Sequence, residues 1–165
     1  MQGFSNKYHD GFLGHSYLGE WVNLAAATQT SDLRNDYDTV RVSVNGQRLQ
    51  TGRGKVGSYI GDHAKTGLAA LLNTGSTIGA FASILPSGRL LPQVIPSFCQ
   101  VQQGQIQELS DLRKAFGTAA RVMQRRGKTF TDAHENFFYD LFDATAQRRN
   151  QTIRESEMRY LRRSV

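Results

Sequence analysis

The sequence predicts a mainly β protein: a parallel β-helix with an inserted hairpin loop and an α-helical C-terminal extension. Three observations predict it. Aliphatic or threonine side chains recur every six residues, polar residues 32–55 interrupt this pattern once, and apolar residues take a helical spacing from Gln105 onward. A period of six fits neither an α-helix nor a simple strand, whereas short strands joined by tight corners produce it.

The hexapeptide repeats fall in two blocks, residues 1–31 and 56–92, and each repeat has one position predicted to point inward. These positions are Phe12, Leu18, Leu24, Thr30, Ile60, Thr66, Leu72, Ile78, Ile84 and Leu90. A small residue lies four positions after most of them, and glycine directly follows several. Because glycine and alanine tolerate crowded or left-handed backbone, we expect these small residues at the corners. The predicted boundaries are residues 1–99 for the β-helix and residues 100–165 for the helical extension.

The segment between the blocks, residues 32–55, is an insertion. Residues 40–44 and 47–49 flank Asn45-Gly46, which is the pattern of a hairpin with a two-residue turn. Long insertions in compact domains are often functional. We expect the loop to project from the β-helix, as an arm that stabilises an assembly or as a lid over a ligand.

Helices are predicted in the C-terminal part. Ser110 or Asp111 would cap the first, which ends near Gly127, and Asp132 would cap the second. The residues predicted to be buried are Leu112, Phe116, Ala119, Ala120 and Met123 in the first helix, and Phe137, Phe138, Leu141 and Phe142 in the second. A last helix is predicted over residues 152–163, where Arg162 and Arg163 would complement its dipole.

Composition limits the class of protein. The single cysteine, Cys99, rules out an internal disulfide and fits a reducing compartment. No apolar run is long enough for a membrane span and no signal peptide is evident, so we expect a cytoplasmic protein without a membrane partner. The net charge is +6, with twelve Lys and Arg against eight Asp and Glu in residues 100–165. No nucleic-acid motif accompanies this charge, which leaves a solvated helical face or attraction to a phosphorylated small molecule.

His9, within Asn6-Lys-Tyr-His-Asp-Gly-Phe12, is the strongest candidate for chemistry. An imidazole has a pKa of about 6.5 and can take a proton from a nucleophile at neutral pH. The alternative is a structural imidazole at a corner, bonded to Asp10 or to a neighbouring carbonyl.

A resemblance to a known family adds to this interpretation. His9, Phe12-Leu-Gly14, Leu18-Gly-Glu-Trp-Val-Asn23 and the small-residue stretch to Thr28 resemble the acetyltransferase domain of the bacterial bifunctional sugar nucleotidyltransferases that make UDP-N-acetylglucosamine. Ile60-Gly-Asp-His-Ala-Lys-Thr-Gly67 resembles the next coils of that domain. The run from Thr30 to Tyr37 is similar to a diverged branch of this family, in which it leads into an inserted hairpin.

The resemblance implies a left-handed β-helix that forms a homotrimer with active sites between subunits. It further implies acetyl-CoA as donor, a sugar phosphate or nucleotide sugar as substrate, and a nucleotidyltransferase domain as a further partner. His9 falls on the catalytic base. The remaining implied site residues are Phe12, Asn23, Asn35, Tyr37, Arg53 and Lys55 for substrate, and Lys65 and Leu68 for the cofactor.

The departures from the family pattern include Ala25-Ala-Ala27, which replaces a Gly-Ala-Gly stretch, and Leu68, which replaces a serine near the thioester. A solvated surface role is the alternative for His63 and Lys65. For the whole chain, one alternative is a non-catalytic trimerisation or regulatory module. Another is a β-helical zinc carbonic anhydrase, but His9 and His15 lie on successive faces, which disfavours a shared metal ion within one chain. We therefore predict no metal.

Overall fold

The computed structural model describes residues 1–86 and 88–161, so Arg162 and Arg163 lie outside the described residues. The strands are β1 Tyr17–Leu18, β2 Gln29–Thr30, β3 Arg41–Val44, β4 Gln47–Gln50, β5 Tyr59–Ile60, β6 Lys65–Thr66, β7 Leu71–Leu72, β8 Thr77–Ile78, β9 Ser83–Ile84, β10 Val94–Ile95, β11 Cys99–Gln102 and β12 Gln105–Glu108. The helices are α1 Leu112–Gln124, α2 Asp132–Ala144 and α3 Ala146–Leu161.

The short strands stack in parallel, coil upon coil. One stack runs β1-β5-β8-β10, a second contains β6, β9 and β11, and a third pairs β2 with β7. Ile60 pairs with Ile78, eighteen residues on, which is the length of one coil of three hexapeptides. Leu18 pairs with Ile60, and the larger step between them is one coil plus the insertion 32–55. The parallel stacking confirms a β-helix-like fold, from which the insertion leaves and to which it returns without a change of register.

The inward positions form the core, as the repeat predicts. Leu18, Ile60 and Ile78 are each at most 2% exposed, and they belong to one apolar cluster inside the coils. Phe12 and Leu90 are exceptions, because their side chains are 54% and 57% exposed. Their neighbours contact the core instead, and these are Leu13 and Leu91. At Leu90 the reason is a slip of register: it pairs with Leu71, nineteen residues earlier, so the following residue points inward.

Glycine is required where coils approach closely. A Cβ on Gly61 would lie 2.7 Å from the backbone nitrogen of Ala80, and one on Gly79 would clash with the backbone nitrogen of Ser97. The left-handed backbone at this corner falls two residues after glycine, at Trp21, His63 and Phe81, with φ of 60°, 59° and 56°. The expectation that small residues supply the left-handed backbone is therefore wrong at this corner.

These residues form a ladder of rings that we call the aromatic corner, made of Phe4, Trp21, His63, Phe81 and Phe98. Phe4 stacks on Trp21 with ring centroids 4.2 Å apart, and His63 stacks on Phe81 at 4.7 Å. Trp21–His63 and Phe81–Phe98 follow at 6.2 and 5.6 Å. One ring from each successive coil therefore extends the apolar packing outside the β-helix.

The helices cover this aromatic corner. Phe116 of α1 and Phe138 of α2 meet the ring of Phe81 edge-on, at centroid distances of 5.3 and 4.8 Å. The prediction that α2 buries Phe138 is confirmed, whereas Phe137 is 58% exposed. The edge-on rings explain why the helical extension packs at this corner, since aromatic pairs favour this arrangement.

The helix caps agree with the sequence for α1 and differ for α2. The Asp111 carboxylate accepts a hydrogen bond from the Lys114 backbone nitrogen at 3.0 Å, as predicted. At α2 the N-cap is Thr131, which forms a capping box with His134. The prediction that Asp132 caps α2 is wrong, because the extended backbone required of a cap occurs one residue earlier.

A buried arginine attaches the last helix to the sheet. Arg149 of α3 is 1% exposed, and its Nε donates to Glu108 Oε2 at 2.6 Å. Its Nη1 donates to the Phe142 carbonyl at 2.9 Å. The antiparallel hairpin of β11 and β12 carries the sheet to Glu108, so strands continue past residue 99 and the helices begin at Leu112.

Candidate functional site

His9 lies at a second corner of the β-helix, which we call the open corner. It consists of residues 9–11, 26–27 and 68–69 in successive coils. The Ala27 nitrogen donates to the Asp10 carbonyl at 3.1 Å, and the Ala69 nitrogen donates to the Ala26 carbonyl at 2.9 Å. Ala27 and Ala69 supply the left-handed backbone here, with φ of 58° and 56°. Ala26 and Ala27 are partly exposed and Ala69 is exposed, so small side chains take the place here of the rings at the aromatic corner.

The imidazole of His9 is exposed to solvent. Lys7 Nζ donates to the His9 carbonyl at 2.6 Å and also to the Asp10 carbonyl, so it holds the backbone and not the ring. The Tyr8 ring lies edge-on to the imidazole at 5.2 Å. Within the described residues neither ring nitrogen of His9 makes a hydrogen bond, so the expected alternative of a bonded corner imidazole is not what the structure has. In this part of the chain both ring nitrogens are therefore free to contact a ligand.

Phe12 and Leu68 are exposed near His9. Phe12 lies on the face that follows the open corner, its backbone nitrogen donating to Gln29 Oε1 at 2.7 Å. Leu68, in the third coil of the open corner, is 68% exposed. Coils rise by about 4.8 Å, so Leu68 lies on the order of 10 Å from His9 along the axis. Two exposed apolar side chains therefore lie on the coils that flank His9 along the chain and along the axis.

Asn23 and Lys65 lie on the face that precedes the open corner. Asn23 forms parallel bridges with Asn6 and Lys65 and is partly exposed. Lys65 Nζ donates to the His63 carbonyl at 3.1 Å, and burial lowers the pKa of this lysine. Asn23 and Lys65 are therefore adjacent on the face of the coils that comes directly before the open corner.

Four predicted site residues lie at the remaining corner, where the insertion begins and ends: Asn35, Tyr37, Arg53 and Lys55. Leu33 and Lys55 form an antiparallel bridge at its base, and Tyr37 is 78% exposed. Successive corners are separated by a face about 15–20 Å long, the span of five or six extended residues. Within one chain the structure therefore does not bring these four residues to His9.

His63 is a residue that the sequence analysis placed wrongly. It is 4% exposed within the aromatic corner, so a solvated surface role is wrong for it. Burial, together with the charges of Lys65 and His134, lowers its pKa to about 3, and its Nδ1 has no hydrogen-bond partner in the described structure. The signal that could have placed it is the recurrence of rings at Phe4, Trp21, Phe81 and Phe98 at the spacing of the coils.

The other titratable candidates carry no catalytic geometry. Cys99 is fully buried, and burial raises its pKa to about 12, so its thiol is not an effective nucleophile. His15 Nδ1 lies 2.6 Å from Asp32 Oδ2 at the insertion corner, away from His9. Over the described residues, no three His, Cys, Asp or Glu side chains come together as a metal site. No described helix is both long and apolar enough to span a bilayer.

The stacked coils, together with an exposed corner histidine, define a β-helix-like domain with one candidate site at the open corner. Comparison with known proteins gives relatives of this kind. The chain is 41% identical over 78 residues to the bifunctional sugar-1-phosphate nucleotidylyltransferase/acetyltransferase of Sulfurisphaera tokodaii, a match that covers 47% of this chain and 20% of that protein. It is 33% identical over 72 residues to the bifunctional protein GlmU of Methanocaldococcus jannaschii, covering 44% of this chain and 17% of that protein.

These matches confirm the resemblance to a bifunctional sugar nucleotidyltransferase and acetyltransferase. The bifunctional protein GlmU of Methanococcus maripaludis is also similar, at 35% identity over 72 residues. The matched part of the chain spans about a fifth of the length of these relatives. No model of a protein family matches the chain.

Proposed function

We propose that this chain is an acetyl-CoA-dependent acetyltransferase domain of a sugar nucleotidyltransferase, with a left-handed β-helix and an amino sugar phosphate as acceptor. The observation that carries the proposal is the 41% identity over 78 residues to a relative named as a nucleotidylyltransferase and acetyltransferase. The exposed, unbonded imidazole of His9 at an uncovered corner supports it. A nucleotidyltransferase domain would act together with this one.

In the proposed reaction, His9 takes the proton of the acceptor amine as the amine nitrogen attacks the thioester carbonyl. The new bond is the amide C–N bond, and the bond that breaks is the C–S bond to coenzyme A. The proton taken by His9 then goes to the leaving thiolate. Proton transfer by a positioned imidazole contributes about 10²–10⁴-fold to such a step. Asn23 and Phe12, on the faces beside His9, would contact the acceptor, and Leu68 and Lys65 would contact the donor.

The proposal includes a homotrimer, because the residues assigned to the site lie at two corners. His9 belongs to the open corner, whereas Asn35, Tyr37, Arg53 and Lys55 belong to the insertion corner. A neighbouring subunit that presents its insertion corner to the open corner would complete one site from two chains. In such a contact the exposed ring of Tyr8, beside His9, would face the exposed ring of Tyr37 on the neighbouring insertion corner; the two are 86% and 78% exposed.

The test is release of free thiol from acetyl-CoA in the presence of glucosamine 1-phosphate and other amino sugar phosphates. We expect acceptor-dependent release by the native chain and a loss of about 10²-fold or more in His9→Gln. The matched control is His134→Gln, which replaces another exposed histidine with a side chain that also suits a capping box. Equal activity in His9→Gln and His134→Gln would remove His9 from the mechanism.

Acetyl-CoA binding separates this function from its alternative. Titration calorimetry with light scattering on the same sample measures donor affinity and oligomeric state together. A trimer that binds acetyl-CoA, with binding kept in His9→Gln, fits a base that does not hold the donor. A folded trimer that binds no acetyl-CoA and releases no thiol would make a non-catalytic trimerisation module the better assignment.

A further inference from the structure

A cleft of about 1210 Å³ lies between the inserted hairpin, the last coils and α3, and none of residues 9–11, 26–27 and 68–69 of the open corner lines it. Its charged lining is almost entirely basic. Glu155 is the carboxylate among its described lining residues, and the arginines are Arg41, Arg48, Arg89, Arg148 and Arg159. These arginines come from three separate parts of the chain, so the concentration of charge arises from the fold and not from a local run of basic residues.

Arg148 is held in place across the cleft. Its Nη2 donates to Ser43 Oγ at 3.2 Å, which joins α3 to the hairpin. A Cβ at Gly46, where φ is 88°, would clash with Arg148 Nη1, so glycine leaves the space that the guanidinium occupies. A guanidinium has five N–H donors in a fixed plane. Among the described residues the bond to Ser43 is the one side-chain hydrogen bond of Arg148, so most of its donors remain for a ligand.

Most of the positive charges that line the cleft have no carboxylate partner within the described structure. Among residues 1–86 and 88–161, Arg34 and Arg149 pair with carboxylates elsewhere, and Arg159 makes a 3.5 Å contact with Glu155. No carboxylate of that part of the chain pairs with Arg41, Arg48 or Arg148. Like charges along a concave wall focus a positive potential in the cleft. This arrangement costs folding stability and favours an anion.

We propose that this cleft binds a small molecule carrying a diphosphate, at a site separate from the acetyl-transfer site. The planar guanidinium of arginine can donate two parallel hydrogen bonds to two oxygens of one phosphate group. This geometry makes arginine well suited to phosphate recognition. The arginines are spread over the hairpin, residue 89 and α3, which is more than one phosphate group can contact. The volume of about 1210 Å³ also leaves room for a ligand larger than a single phosphate ion.

The lining favours a small molecule over a nucleic acid. The described lining residues include no aromatic side chain on which bases could stack, whereas single-strand binding surfaces use such rings. Carboxamides of Asn73, Gln93 and Gln103 border the cleft and can bond hydroxyl groups or a base edge. Both a nucleotide and coenzyme A contain a diphosphate, so the shared chemistry defines the proposal.

The test is titration calorimetry of the full chain with inorganic pyrophosphate at low salt, with Arg148→Gln, Arg48→Gln and the control Arg154→Gln. Arg154 is exposed on α3 but does not line the cleft, so its variant removes the same charge from the same helix. We expect saturable binding that weakens about tenfold or more in the two cleft variants, the scale of a lost charge-assisted contact. Arg48→Gln keeps the Ser43–Arg148 hydrogen bond. It therefore tests the cleft even if Arg148→Gln detaches the hairpin from α3.

Competition with UDP and with acetyl-CoA identifies the source of the diphosphate, and displacement of pyrophosphate by either one supports the site. Binding that weakens equally in Arg154→Gln would overturn the proposal, because general charge would explain it. No pyrophosphate binding by the folded chain, or displacement by short single-stranded DNA but by neither UDP nor acetyl-CoA, would overturn it as well. His9→Gln should leave pyrophosphate affinity unchanged, so failure at the open corner and failure in the cleft are distinguishable.

Discussion

The aromatic corner and the open corner repeat with the same coil length, yet one is covered and the other is not. At the aromatic corner the left-handed positions hold Trp21, His63 and Phe81, whose rings stack and receive the helices. At the open corner the equivalent positions hold Ala27 and Ala69. The same backbone conformation therefore supports two outcomes, and the side chain at the left-handed position decides which corner the C-terminal helices cover.

This difference separates the edge of the β-helix-like fold that the helices stabilise from the edge that carries the proposed site. A left-handed backbone is unfavourable for residues other than glycine, so the rings at the aromatic corner must recover that cost by packing. The helices supply the packing, through Phe116 and Phe138. Within residues 1–86 and 88–161 the open corner has no such cover, and His9 and Leu68 are exposed there.

The largest expected effect compares the same substitution on covered and uncovered rings. Phe81→Ala removes a ring that contacts His63, Phe98, Phe116 and Phe138, and we expect a loss of about 3–5 kcal/mol in the free energy of unfolding. Phe12→Ala, on the open side, should cost less than about 1 kcal/mol because Phe12 is 54% exposed. Urea unfolding followed by circular dichroism at one protein concentration measures both. Equal losses would contradict the separation of the two edges.

The free energy of unfolding should depend on pH because His63 is buried at the aromatic corner. The folded protein holds this imidazole neutral with a pKa of about 3, whereas the unfolded chain binds a proton below about pH 6.5. Its contribution to stability is therefore complete above pH 6.5 and is lost as the pH falls toward 3. We expect a slope of about 1 kcal/mol per pH unit between pH 6 and 4 from this residue.

The matched measurement for His63 is urea unfolding of the native chain and of His63→Phe across that pH range. Phenylalanine keeps a ring in the ladder and does not titrate, so the variant should lose stability less steeply on acidification. If the free energy of unfolding had the same pH slope in both proteins, His63 would bind no additional proton on unfolding. The imidazole would then be accessible to water in the folded protein.

Much of the fold was predictable because the six-residue period repeats a local rule. Leu18, Ile60 and Ile78 are inward and paired as that rule requires. The rule failed at Leu90, where a slip of one residue reversed two side chains, because such a slip depends on how the loop after Ile84 closes. The ladder was missed because the insertion separates Trp21 from His63 in sequence and hides their common position in successive coils.

The candidate site was predictable only in part, for a different reason. The motif around His9 singled out this histidine as the candidate base, and the structure has its imidazole exposed at the open corner. Its role as a base stays a prediction. Whether Tyr37 or Arg53 reaches that histidine depends on contacts between chains, which no pattern within a single chain contains. The arginine cleft was equally hidden, since Arg48, Arg89 and Arg148 are far apart in sequence and meet only when α3 packs beside the hairpin.

The smallest expected effect tests how firmly the helices cover the aromatic corner. Asp111→Ala removes the hydrogen bond to the Lys114 nitrogen at the start of α1 and should cost about 1 kcal/mol, the usual value of an N-cap. The control is Asp140→Ala in α2, an exposed position with no cap role. The midpoint temperature of thermal unfolding should fall by about 2–4 °C in Asp111→Ala and stay unchanged in Asp140→Ala. Hydrogen exchange locates the change: faster exchange at residues 112–116 would show that the cap secures the cover, whereas faster exchange at residues 27 and 69 would mean that the two corners do not behave independently.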